Sequence, residues 1–166
     1  MKEHTYQLEF SKAIKESLLV WVTLILQVSL SFFLICNEGE MVALIISNLV
    51  LSLFSIPGLI IHLNHLNYSR NAKLILRRDT ITFINRAEEI TLKTFEVIKV
   101  VLHQSPSGSR LPWWNFSWFE LIDKEGQSIK VSCYFLEIGE FWQDTLSHRV
   151  DSNNFVRKEV FFPLMK

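Results

Sequence analysis

Two uncharged apolar runs separated by four residues occupy the first part of the chain, and a different rhythm follows them. Leu18–Cys36 reads LLVWVTLILQVSLSFFLIC, interrupted only by Thr23, Gln27, Ser29 and Ser31. Met41–Leu63 reads MVALIISNLVLSLFSIPGLIIHL and is equally free of charge. About 20 such residues, at a helical rise of about 1.5 Å, match a hydrocarbon core of roughly 30 Å. A soluble core helix would carry a polar face, and neither run has one. The pattern predicts two membrane-spanning helices, over residues of about 16–36 and 41–64.

The link Asn37-Glu38-Gly39-Glu40 is too short for anything but antiparallel neighbours, with Gly39 available for the reversal. Lys12 and Lys15 precede the first run, Arg70, Lys73, Arg77 and Arg78 follow the second, and the link has no cation. By the positive-inside rule this is a multi-pass protein of a cytoplasmic (inner) membrane with both termini in the cytoplasm. Cleavage as a secretory or lipoprotein signal is not expected, because bulky Leu34 and Ile35 precede Cys36. Within the runs, Gln27 and Asn48 are the candidates for an intramembrane helix contact through hydrogen bonding. Pro57-Gly58 predicts a kink.

After Asn67 the apolar period shortens to two. Ala72–Arg77 and Thr80–Asn85 read as strands joined tightly at Arg78-Asp79, and Glu89–Leu92 continues the meander. Phe95, Val97, Ile98, Val100, Val101 and Leu102 suit a buried strand, and Gln104–Leu111 reads as a loop. Two longer strands, Trp113–Ile122 and Ser128–Phe135, flank a polar turn. Phe141, Trp142 and Leu146 have helical spacing, which predicts one late helix over about 136–147. The chain thus divides into residues 1–66, with the helical hairpin, and residues 67–166, a mostly β cytoplasmic domain.

This order of elements resembles the membrane-anchored bacterial pleckstrin-homology-like (PH-like) proteins of the YcxB-like kind. The resemblance rests on Leu74-Ile75-Leu76, Ile81-Thr82-Phe83, the step from Leu92-Lys93-Thr94-Phe95 into Val97-Ile98-Lys99-Val100, and the strand from Trp114 to Ile122. It implies an α+β membrane protein: a two-helix transmembrane hairpin, then a PH-like antiparallel domain of about six or seven strands with one C-terminal helix. It also implies a non-enzymatic interaction module that docks a protein partner, a second copy of itself or lipid headgroups. An accessory subunit of a transport or signalling complex, assembled through the hairpin, is the alternative.

Composition narrows this picture further. The chain has 166 residues, and its 17 Lys and Arg balance 17 Asp and Glu. The basic excess that nucleic-acid binding needs is missing, so the bilayer and a protein partner or homo-oligomer are the expected partners. Arg70, Lys73, Arg77 and Arg78 suit contact with an anionic membrane surface. In Arg110–Trp118 a strict alternation would turn Trp114, Phe116 and Trp118 to the core. A second reading puts Arg110, Trp113 and Trp114 at the bilayer interface or a protein contact.

Catalytic signals are missing. There is no Gly-rich phosphate loop, nucleophile elbow or spaced carboxylate pair, and His103, Asp123, Ser132 and Cys133 form a triad only on paper. No cofactor or metal is expected. His62 and His65 come closest to metal spacing, but two polar aromatic residues at a headgroup boundary explain them. Cys36 and Cys133 are both expected to be reduced and buried.

Overall fold

The computed structural model describes residues 3–37, 40–86, 88–106, 111–135, 146, 150 and 152–165. A short strand, β1 (His4–Gln7), comes before two long helices, α1 (Phe10–Cys36) and α2 (Met41–Ser69). Both helices are long and apolar enough to cross a membrane, and only 6% and 17% of their most apolar windows are buried. That low burial separates them from the core helices of a soluble domain. Each also runs past its apolar stretch toward the β domain, because Ala13, Ser17, Ile61, His62, His65 and Ser69 find burial there.

The chain leaves the β structure at Gln7 and re-enters it at Lys73. Here β1 pairs antiparallel with β2 (Lys73–Leu76), Gln7 opposite Lys73 and His4 opposite Leu76. The hairpin is therefore an excursion between two adjacent strands. Sheet one continues through β3 (Thr80–Ile84) to β4 (Glu89–Lys93), in the order β1-β2-β3-β4. After a 3₁₀ turn at Thr94–Glu96 come β5 (Val97–Gln104), β6 (Ser117–Asp123) and β7 (Ser128–Ser132). The last strand, β8 (Phe155–Glu159), lies parallel to β5, and sheet two has the order β7-β6-β5-β8.

The described residues thus hold eight strands, against an expected six or seven, all antiparallel. The two extra strands are edges. His4-Thr5-Tyr6-Gln7 and Phe155-Val156-Arg157-Lys158-Glu159 contain no fully buried residue, so neither carries a two-residue apolar alternation. The expected late helix over 136–147 falls mostly outside the described residues. Leu146 and Val150 are described; both are buried, and the Val150 amide donates to the Leu146 carbonyl at 2.9 Å.

The main core fills the space between the sheets. Leu74, Leu76, Ile81, Phe83 and Leu92 come from sheet one, and Val97, Val100, Phe119, Leu121, Ile129 and Val131 from sheet two. Each fully buried side chain of this kind contributes about 1.5–3 kcal/mol. Three burial expectations need correction. Phe95 is 72% exposed because it sits in the 3₁₀ turn, and Ile98 is 52% exposed at the register shift between Val97 and Lys99. Cys36 ends α1 on its exposed surface, and only Cys133 is buried.

Candidate functional site

A second apolar cluster joins the helices to the sheets: Ala13, Val20 and Ile61 meet Trp113, Phe116, Cys133 and Tyr134. His62 and His65, three apart, share the face of α2 turned toward it. His62 Nδ1 lies 2.6 Å from the Tyr134 hydroxyl. His65 Nε2 lies 2.8 Å from the Pro163 carbonyl, which only accepts, so this nitrogen carries the proton. In the neutral ring Nδ1 then accepts from the Ser132 hydroxyl at 3.0 Å. The pair expected at a headgroup boundary is instead a buried latch between helix and sheet. Sequence alone gave no sign of it, since its partners lie about 70 and 100 residues away along the chain.

Cys133 Sγ is 4.0 Å from His65 Nδ1, which superficially resembles a nucleophile and its base. Burial pushes the Cys133 thiol up to about 12, which keeps it protonated and unreactive. Burial likewise raises the Tyr134 phenol and holds it neutral. The paper triad is dispersed. His103 stacks on Trp118 with ring centroids 3.8 Å apart and bonds Glu120 at 3.3 Å. Asp123 accepts the amides of Glu125 and Gln127 and shapes the β6–β7 turn. Among the described residues, no group of three or more His, Cys, Asp or Glu could hold a metal ion.

Another opening lies elsewhere. A cleft of about 670 Å³ lies between β4 and β7, each the terminal strand of its sheet among the described residues. Tyr68 and Phe83, stacked at 5.5 Å, provide aromatic lining. Glu88, Glu89 and Thr91 line it from the β4 side, and Gln127, Ser128 and Lys130 from the β7 side. Four separated segments build this cleft, so no local motif announces it.

The basic residues do not converge. Arg70 follows α2 and Lys73 opens β2, while Arg77 lies about 13 Å further along that strand direction. Arg77 pairs with Glu3 at 3.3 Å, and Arg78 is exposed in the turn. The proposed interface trio also separates. Trp113 is only 2% exposed and its Nε1 donates to the Phe161 carbonyl at 2.9 Å. Trp114 is 49% exposed, and Arg110 lies outside the described residues. The alternation fails here because Leu111–Phe116 forms turns: the Trp114 and Phe116 amides donate to Leu111 and Trp113 carbonyls, at 3.0 and 3.1 Å.

Between the helices, Gln27 Nε2 donates to Asn48 Oδ1 at 3.3 Å and to Ser52 at 2.9 Å. Ser55 donates to Gln27 Oε1 at 2.8 Å, and Ser31 to Asn48 Oδ1 at 2.9 Å.

Two four-stranded sheets packed around one core, with a cleft between their terminal strands, make up the β domain among the described residues. A family model for the PH domain matches residues 5–143, and the chain belongs to that family. The matched stretch includes both helices and all strands but β8. A comparison with curated proteins found no match. PH domains are generally non-catalytic and commonly bind lipids or proteins.

Proposed function

We propose that this PH-domain protein is a membrane-anchored docking module of the YcxB-like kind, whose cleft between β4 and β7 receives a protein partner. In this reading α1 and α2 span a cytoplasmic membrane of bacterial type, and both termini and the β domain face the cytoplasm. Arg70 and Lys73, nearest the helix ends, touch the anionic surface, and Arg77 and Arg78 extend that contact along β2.

The observation that carries the reading is the cleft itself. Its polar side chains and terminal strands offer hydrogen bonds to a partner segment, and its aromatic lining offers a pocket for side chains. Glu88 and Glu89 at its rim repel phosphate, which favours a protein over a lipid headgroup as the occupant. The alternative, an accessory subunit assembled through the hairpin, is less favoured. Gln27 and Asn48 hydrogen-bond within the hairpin, to each other, to Ser31, Ser52 and Ser55 and to the Leu44 carbonyl.

The test uses the full chain in its native membrane with a photo-crosslinking residue at Thr91 or Gln127, and at Val156 on β8 as reference. A discrete protein adduct is expected from the two cleft positions, lost when Glu88 and Glu89 are both replaced by lysine. Equal adducts from Val156, or lipid adducts alone from the cleft, would refute the reading.

A further inference from the structure

The C-terminal strap, residues 161–165, runs beside α2 and is tied to it at several points. The Pro163 carbonyl meets His65 at 2.8 Å, and Asn64 forms a reciprocal pair with Met165, at 3.0 and 2.7 Å. The strap starts with two aromatic residues that stay uncovered, Phe161 at 54% and Phe162 at 44% exposure. Their rings meet edge to face at 4.7 Å and rest against Trp113, at 5.9 and 5.7 Å. Trp113 in turn reaches the helices at Gly58, where a Cβ would lie 3.6 Å from its ring and 2.9 Å from Val20.

This fixes the height of the aromatic pair along the hairpin. Gly58 lies in the uncharged run of α2, about 18 Å of helix before Arg70, the next charged residue. Val20, its neighbour on α1, is about 6 Å of helix past Glu16. The pair therefore stands at the edge of the apolar zone, where Trp21 on α1 is also 42% exposed. An apolar groove of about 360 Å³, lined by Phe10, Ile14, Trp21 and Leu66, occupies the same end of the hairpin.

The lengths of the free helices point the same way. Beyond the contact with the domain, Trp21–Cys36 rises about 24 Å and Met41–Pro57 about 26 Å. A hydrocarbon core is about 30 Å thick, so the bilayer must reach the base of the β domain. Aromatic side chains are favoured at that depth. Resting on the reading that the helices span, we propose that Phe161 and Phe162 insert into the headgroup–acyl boundary and make the C-terminal strap a third membrane contact. The occupant of this surface is the bilayer, because the exposed pair rests on Trp113, which packs at Gly58 inside the uncharged run of α2. The strap then fixes the tilt of the β domain and hence the direction in which its cleft opens.

The test is depth-dependent quenching on the full chain with Cys36→Ser, since Cys133 is buried and unreactive. An environment-sensitive fluorophore is placed singly at F162C, V28C or V156C, in vesicles of phosphatidylcholine and phosphatidylglycerol. At F162C, quenching by a shallow spin-labelled lipid is expected to exceed that at V156C by about threefold or more, with protection from aqueous iodide. At V28C, deep spin labels should quench best. Iodide quenching at F162C as strong as at V156C, with V28C still lipid-protected, would overturn the strap proposal and leave the spanning reading standing. Iodide access at V28C would overturn both.

Discussion

Between the two helices, Gln27, Ser31, Asn48, Ser52 and Ser55 hydrogen-bond to one another while Ile25, Val28, Phe32 and Leu49 point outward. Between the two sheets the arrangement is reversed: Phe83, Phe119 and Leu121 fill the interior, and Lys73, Arg78, Glu89 and Lys124 face out. One chain has built two interiors of opposite polarity. In water, apolar burial drives assembly and scales with the area removed from solvent. Against lipid tails an apolar surface gains little by burial, so helix pairing depends on packing and on polar contacts. The surroundings of each region can thus be inferred from what it hides.

The largest test of this contrast lies in the sheets. Phe119→Ala should cost about 3–5 kcal/mol, read as a lowered unfolding midpoint of the full chain in mild detergent, whereas Leu49→Ala on the outer face of α2 should change it little. Comparable losses at both positions would erase the distinction. Gln27→Leu is a smaller test and would leave Ser55 and Asn48 without their shared partner. It should cost about 0.6–2 kcal/mol by the same readout. A stabilised variant would mean that the hairpin interior behaves like a water-soluble core.

Which elements could be read from sequence follows from the same contrast. The apolar runs gave the helices, and short apolar segments bounded by turn residues gave β2 to β7, alternating in β2 and β7 but buried on both faces in β3 and β5. At β1 and β8 only Tyr6 and Phe155 pack against the core, one residue in each strand, which is too little for an alternating pattern. Trp113 was assigned to the wrong face because alternation holds only in extended chain, and Leu111–Phe116 turns. The cleft and the His62–Tyr134 and His65–Ser132 bonds depend on which distant segments meet, which no local pattern encodes.

The smallest expected effect is a pH dependence confined to the β domain. Burial lowers the pKa of His103 from its ordinary 6.5, and Lys158 and Lys130 push it the same way, while Glu120 opposes them. The folded chain therefore binds this proton less readily than the unfolded chain. The stability this confers is present above about pH 6.5 and is lost as pH falls through the lower folded value. Thermal melting of the full chain should drop between pH 7.5 and 5, and His103→Gln should remove part of that drop. An identical profile in the variant would assign the dependence to other groups.

Because β1 and β2 flank the hairpin, the pairing of His4 with Leu76 spans about 70 residues of chain. During synthesis the first strand leaves the ribosome with no neighbour to join, and it must wait until both helices have been made and, in the proposed spanning arrangement, threaded into the bilayer. Under that proposal, closure of the first sheet reports that insertion is complete. A polypeptide whose helices failed to enter together would hold β2 with a bare edge, the kind of surface that invites aggregation and recognition by quality-control machinery. The same arrangement means that cutting the chain after α2 removes a strand of the first sheet along with the helical hairpin, so hairpin and β domain are made, and lost, as one unit.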